Sequence, residues 1–146
     1  MFNAINSSAS GLTAERLRMD TISDNLANAN TTRTEDGGPY MRKVVRFEPR
    51  RQKVDGFRIF QRQFQPGPAA GRGVRATGVV EAAGEPRRVH DPGHPDAGDD
   101  GYVSMPNVDP IKEMVDMITA TRSYQANTTA IQSAKTMFNS ALDIAV

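Results

Sequence analysis

The sequence predicts an α+β protein: long N- and C-terminal amphipathic helices pair as a coiled-coil-like unit, with a small irregular β module inserted between them. Three observations carry that expectation. All nine Pro and eleven of the twelve Gly lie between residues 37 and 110, leaving Gly11 as the exception, so both ends of the 146-residue chain are helix-compatible and the middle is not. Apolar residues recur at intervals of seven in both ends. Charge is segregated beneath a net of +1: residues 33–88 hold thirteen Lys or Arg against six Asp or Glu, whereas residues 89–108 hold four Asp and no Lys or Arg. The expected division is a helical core made of residues 1–32 and 109–146, with a β-rich outer module and loops over 33–108.

The first helix carries Ile5, Leu12, Met19 and Leu26 seven apart, with Phe2, Ala9 and Ile22 on the same face. The stripe is narrow, closer to a coiled-coil seam than to the broad face of a globular helix. The helix is expected to stop in Asn28-Ala29-Asn30-Thr31-Thr32, where Asn tolerates the left-handed conformation and β-branched Thr disfavours continuation.

In the middle, Val44, Val45 and Phe47 suggest one strand, Phe57, Ile59, Phe60 and Phe64 a second, and Val74, Ala76, Val79 and Val80 a third. Arg42, Arg46, Arg58, Arg62 and Arg75 alternate with apolar residues, as on a sheet with one solvated face. Residues 65–73 read as a flexible excursion, and Val89–Asp100 as a Pro- and Asp-rich loop without periodicity.

The last helix has a clean start. Asp109 is a good N-cap, and Pro110 suits the first helical position, where a missing N–H costs nothing. Ile111, Met114, Val115 and Ile118 form its first apolar stretch. Met117, Tyr124, Ile131 and Phe138 then sit seven apart; Ala120, Asn127 and Ala134 occupy the position three later, and Leu142 closes the run. Asn127, the polar member of that seam, is expected to fix register. A two-helix hairpin with a private core is one reading. The stripes are too narrow and the second helix too long for that unit to bury all it presents, so copies of the chain or partner helices are expected on these residues.

Several chemistries are excluded. Without cysteine there is no disulfide, thiolate nucleophile or zinc finger. At 38% hydrophobic residues the chain has little material for a large core, and no stretch approaches a membrane span. Met1–Gly11 lacks the basic and apolar regions of a cleavable signal peptide. His90 and His94 stand four apart beside acidic residues, but Pro92, Gly93 and Pro95 forbid the helix that would bring them to one metal. No nucleotide-binding or nucleophile-elbow pattern occurs, so neither an enzyme nor a cofactor is expected. The stretch Arg42–Arg62 interleaves eight Lys or Arg with Phe47, Phe57 and Phe60, which keeps a small nucleic-acid-binding module with helical dimerisation arms as the alternative.

The junction Ile22–Tyr40 reads ISDNLANANTTRTEDGGPY. It resembles the signature of the flagellar axial proteins, the rod and hook family, in which an N-L-A-N-x-N-T run ends the first helix. Asn25, Leu26, Asn28, Asn30 and Thr31 carry that run; Gly37, Gly38, Pro39 and Tyr40 close an extension similar to that of a proximal-rod member. Val89–Ala97, Gly101–Pro106 with Asn107-Val108, and Glu113–Asn127 agree with the same member, while Glu48–Arg62 departs from it. The resemblance implies a structural subunit of the hollow drive shaft that crosses the periplasm. Its helices would pair and pack with those of neighbours around a central export channel, and its middle segment would form an outer layer. Implied partners are copies of itself, other rod proteins and proteins where the rod meets the membrane ring. Transit through the flagellar type III export apparatus is implied too, with no nucleic acid bound.

Overall fold

A Pro-free stretch with a single glycine is free to coil from its start, and the first helix, α1, spans Phe2–Ala27. This computed structural model describes residues 2–35, 37–50 and 73–144. The order continues with β1 (Lys43–Pro49), β2 (Val74–Glu81), β3 (Arg87–His90), β4 (Tyr102–Met105) and α2 (Pro110–Ile144). The α+β class and the flanking of a small β region by two long helices are as the sequence predicts.

The end of α1 falls where expected but by another route. Asn28 Nδ2 donates to Asp24 O at 2.9 Å, and Ala29 N and Thr31 N donate to Leu26 O and Asn28 O. Among the described residues no non-glycine has positive φ. The asparagines therefore end the helix through side-chain capping and right-handed turns, not the left-handed conformation the sequence suggested. Gly37, at φ 78, then donates from its N–H to Thr34 O at 3.0 Å, and the chain returns so that Tyr40 N donates to Thr31 O at 3.0 Å.

Among the described residues the strands form two separate antiparallel hairpins, β1–β2 and β3–β4. Val44 faces Val80 and Val45 faces Val79. A bulge follows Arg46, and Thr77 Oγ1 donates to Arg46 O beside it at 3.2 Å. The expected strand over Phe57, Ile59, Phe60 and Phe64 lies outside the described residues. The stretch 89–100, read as loop throughout, begins inside β3: Val89 pairs Val103, and His90 pairs Tyr102. Four-residue strands with one apolar residue facing in give too little alternation to be read from sequence.

α2 starts on its predicted cap, with Asp109 Oδ1 accepting from Ile111 N at 3.0 Å. Its 35 residues extend about 52 Å at 1.5 Å per residue. Met19 meets Thr121, Arg18 meets Asp116 and Asn25 meets Glu113. Residue numbers fall along α1 as they rise along α2, so the helices are antiparallel.

Their seam differs from the one the large apolar residues suggested. Ala14, Thr21, Ile22 and Asn25 are buried on α1; Glu113, Ala120 and Ala134 are buried on α2, with Asn127 completing the spacing of seven. Ile5, Leu12, Met19, Met117, Tyr124 and Ile131 are half-buried at its edges. Leu26, Ile111, Met114, Val115, Ile118, Phe138 and Leu142 are exposed in the single chain. Small residues line the contact because they let the helices approach. The Asn127 amide lies directly over Gly11, whose missing Cβ would fall 3.0 Å from Nδ2. That contact gives a physical reason for the lone terminal glycine.

Candidate functional site

The most heavily bonded place in the molecule is where α1, β1 and α2 meet. Asn25, one turn from the end of α1, is 1% exposed. Its Nδ2 donates to Lys43 O at 2.8 Å and to Glu113 Oε2 at 3.1 Å, while its Oδ1 accepts from Lys43 N at 2.8 Å and from the Tyr40 hydroxyl at 3.0 Å. The side-chain amide thus pairs both backbone groups of Lys43, as a neighbouring strand would. Glu113, in the first turn of α2, is fully buried, and its Oε1 accepts from Arg42 Nε at 2.6 Å. Arg42 also reaches Asp116 at 3.6 Å, and Asp116 lies 3.7 Å from Arg18. Asn107 joins from the strand side: its Oδ1 accepts from Arg42 N, and its Nδ2 donates to Gly84 O. A buried carboxylate with no partner would be costly; here both oxygens are bonded. Burial raises the pKa of Tyr40, and the carboxylates of Asp24, Glu113 and Glu81 push it the same way.

Beneath this cluster Ala29, Tyr40 and Val108 form a small apolar core. It explains part of the family-like junction. Tyr40 is a core residue, Thr31 O receives the returning strand, Asn28 Oδ1 accepts from Thr31 Oγ1, and Gly38 O accepts from Thr34 N. Pro39 is half-buried, whereas Leu26 and Asn30 are exposed. Sequence reasoning singled out Asn25 and Tyr40 as junction residues; it read Arg42 as solvated sheet surface, and Asn107 and Glu113 only as members of family-like stretches. The one available signal was Glu113 itself, an acid set between Ile111 and Met114 in the first turn of α2.

The second feature is unpartnered apolar surface. Ile111, Met114, Val115 and Ile118 cluster on one side of α2, with Ile111 71% exposed. Nine residues separate Phe2 from Gly11, and nine beyond Asn127 is Thr136. Met137, Phe138 and Leu142 consequently lie past the start of α1, and Phe138 continues the heptad position of Tyr124 and Ile131.

The stretch read as basic surface is partly consumed by the fold: Arg42 is in the buried cluster, and Lys43 Nζ sits 5.4 Å from the Tyr40 ring centroid. His90 packs edge-on against Tyr102, and His94 Nδ1 accepts from Asp96 N. Among the described residues no group of three or more His, Asp or Glu is placed to hold a metal.

Two family models match the ends of the chain: flagella basal body rod protein over residues 5–33, and flagellar basal body rod FlgEFG protein C-terminal over 99–144. All of α2, α1 from Ile5 onward, and Asn25, Asn107, Glu113 and Asp116 of the polar cluster lie inside those matches, whereas Tyr40, Arg42 and Lys43 fall between them. The flagellar basal-body rod protein FlgC of Borreliella burgdorferi is 44% identical over 99% of this chain and 97% of its own length. That of Bacillus subtilis is 44% identical over 98% and 97%. The chain belongs to the flagellar basal-body rod protein C family. An Escherichia coli member is 38% identical over 94% of this chain and 92% of its own. Membership in this family of rod proteins accounts for surfaces that have no partner within one chain, and nothing in the comparisons favours nucleic acid.

Proposed function

We propose that this chain is a structural, non-enzymatic subunit of the flagellar basal-body rod, and that it polymerises with other rod proteins through the faces its two helices leave uncovered. The observation that carries the reading is the pair of exposed apolar surfaces on α2, Ile111–Ile118 and Met137–Leu142, in a chain whose relatives are rod proteins. Apolar side chains fixed along a rigid helix favour a solid, aligned partner such as another helix. The helical parts 1–32 and 109–146 make the shaft and its contacts; 33–108 is the outer module. Export through the flagellum's own apparatus and a place in the proximal rod, beside copies of itself and the proteins at the rod base, complete the reading.

The test is Ile118→Asp in cells lacking the native protein. The side chain is exposed, so the folded subunit should accumulate normally, since surface substitutions cost at most about 0.5 kcal/mol. In a rod, the carboxylate would be buried without a partner, at a cost of several kcal/mol. The expected outcome is normal subunit abundance, no completed rods in isolated basal bodies and no swimming. Thr119→Asp, one residue on and away from the centre of the patch, serves as the control. Normal rods from Ile118→Asp, or equal damage from both substitutions, would refute the assignment of this face.

A further inference from the structure

The β1–β2 hairpin is a two-stranded ribbon, which is marginal on its own in water. It lies along α1 and is fastened there at two separated places. At one end Asn25 grips the Lys43 peptide and Glu113 holds Arg42. At the other, Val74 N donates to Ser10 Oγ at 3.0 Å, and Ser10 Oγ donates to Ser7 O at 2.7 Å. Gly73, at φ 99, passes so close that a Cβ would overlap Ser10 Oγ. The two fastenings are about 22 Å apart along the helix at 1.5 Å per residue, so together they define a direction and not merely a contact.

They are unequal. Among the described residues the Ser10 end has one hydrogen bond to the hairpin, and it is exposed. The Asn25 end is buried, and it binds three elements at once, because Glu113 comes from α2. The described residues between α1 and β1, 28–35 and 37–42, contain no helix or strand, so the hairpin is not joined to α1 by a continuous regular element.

We propose that Asn25 and Glu113 are positioning residues: they fix the angle of the β1–β2 hairpin on the helical pair and form a joint through which load on the helices reaches the outer module. The mechanical role rests on the reading of the chain as a rod subunit; the geometric role does not. An amide paired to both backbone groups of Lys43 resists sliding along the strand. The Arg42–Glu113 pair, held at 2.6 Å inside the protein, resists opening. Asn25 also bonds Glu113 across the two helices, but the seam continues from there through Ala14, Ala120, Asn127 and Ala134, which keep the helices paired without that bond.

Because the chain has no cysteine, spin labels can be placed on introduced pairs in the full-length protein. Labels at the exposed positions Asp20 and Glu81 report the hairpin angle; labels at Thr13 and Gln132 report helix pairing. Unsubstituted protein should give one narrow distance for each pair. Asn25→Asp sets a carboxylate against Glu113, and Glu113→Ala removes the clamp on Arg42. Each should abolish the single narrow 20–81 distance and leave the 13–132 distance in place. Adding Glu113→Gln to Asn25→Asp gives the new carboxylate a donor from α2 but leaves Lys43 O facing an acceptor, so the 20–81 distance should stay broad while the 13–132 distance stays narrow. An unchanged 20–81 distance in both single variants would overturn the proposal. So would a narrow 20–81 distance in the double variant, and so would joint loss of both distances in the single variants, which would make these residues necessary for folding alone. Broad distances for both pairs in the unsubstituted chain would overturn it as well, since a joint cannot orient elements that are not ordered. If the joint behaves as stated while Ile118→Asp still builds normal rods, the assembly face fails and the joint stands.

Discussion

The Tyr40 hydroxyl donates to Asn25 Oδ1 from inside the junction, and burial, followed by the fields of Asp24, Glu113 and Glu81, holds its pKa above the ordinary value of 10.0. The native state therefore keeps the phenolic proton more tightly than the unfolded chain does. The stability this contributes is fully present below pH 10 and is lost as pH rises from there through the raised native value. Ionisation would also turn the donor to Asn25 into an anion near Glu113. Tyr40→Phe should cost about 0.5–1.5 kcal/mol near neutrality, the net worth of one hydrogen bond. In urea titrations its stability should fall less steeply above pH 10 than that of the unsubstituted protein; parallel decline would show that Tyr40 does not titrate in the junction. At this scale the sequence was half legible. Asn25 and Tyr40 stood out because they sit in a recognisable run. Glu113 also heads a recognisable stretch, but its pairing with Arg42 was not legible, because a buried acid 71 residues from its cation looks like any solvated charge until the chain is folded.

The helices were legible as elements, since Pro and Gly punctuate the middle and spare the ends. Their mutual face was not. Heptad spacing identified several stripes, and hydrophobicity favoured the one with Leu12, Met19, Tyr124 and Phe138. What faces inward is decided by how closely the axes approach, and Gly11, Ala14, Ala120 and Ala134 permit the closest approach. The second hairpin escaped notice for a related reason: Val89 and Val103 are its inward apolar residues, set among Asp, Pro and His. The seam has a direct consequence. Ala120 has no exposed surface, so Ala120→Leu must force the helices apart or strain its own rotamer, at about 1–3 kcal/mol. Ala130→Leu, on the exposed side of the same helix, should stay within about 0.5 kcal/mol. Equal urea midpoints for the two variants would mean that Ala120 is not the contact between the helices.

Over the whole molecule, order should be graded along α2, because its length exceeds what one copy of α1 can cover. From Glu113 to Ala134 the helix is tied by the junction and the small-residue seam. Beyond Thr136 it runs past the start of α1, and Met137, Phe138 and Leu142 stand exposed. Fixing each backbone residue costs about 1–2 kcal/mol, and a helix end with no burial has only its own hydrogen bonds to set against that. In a dilute solution of the full chain, amide exchange should be slowest through Glu113–Ala134 and fastest through residues 137–144. On polymerisation the same terminal amides should become protected, because a neighbour then supplies the surface that α1 does not reach. Protection extending undiminished to residue 144 in the dilute chain would show that the overhang is stable by itself. Terminal amides that remain fast in the polymer would show that Phe138 and Leu142 meet no neighbour. Either result would remove the C-terminal surface from the assembly contacts and leave Ile111–Ile118 as the face on which the rod is built.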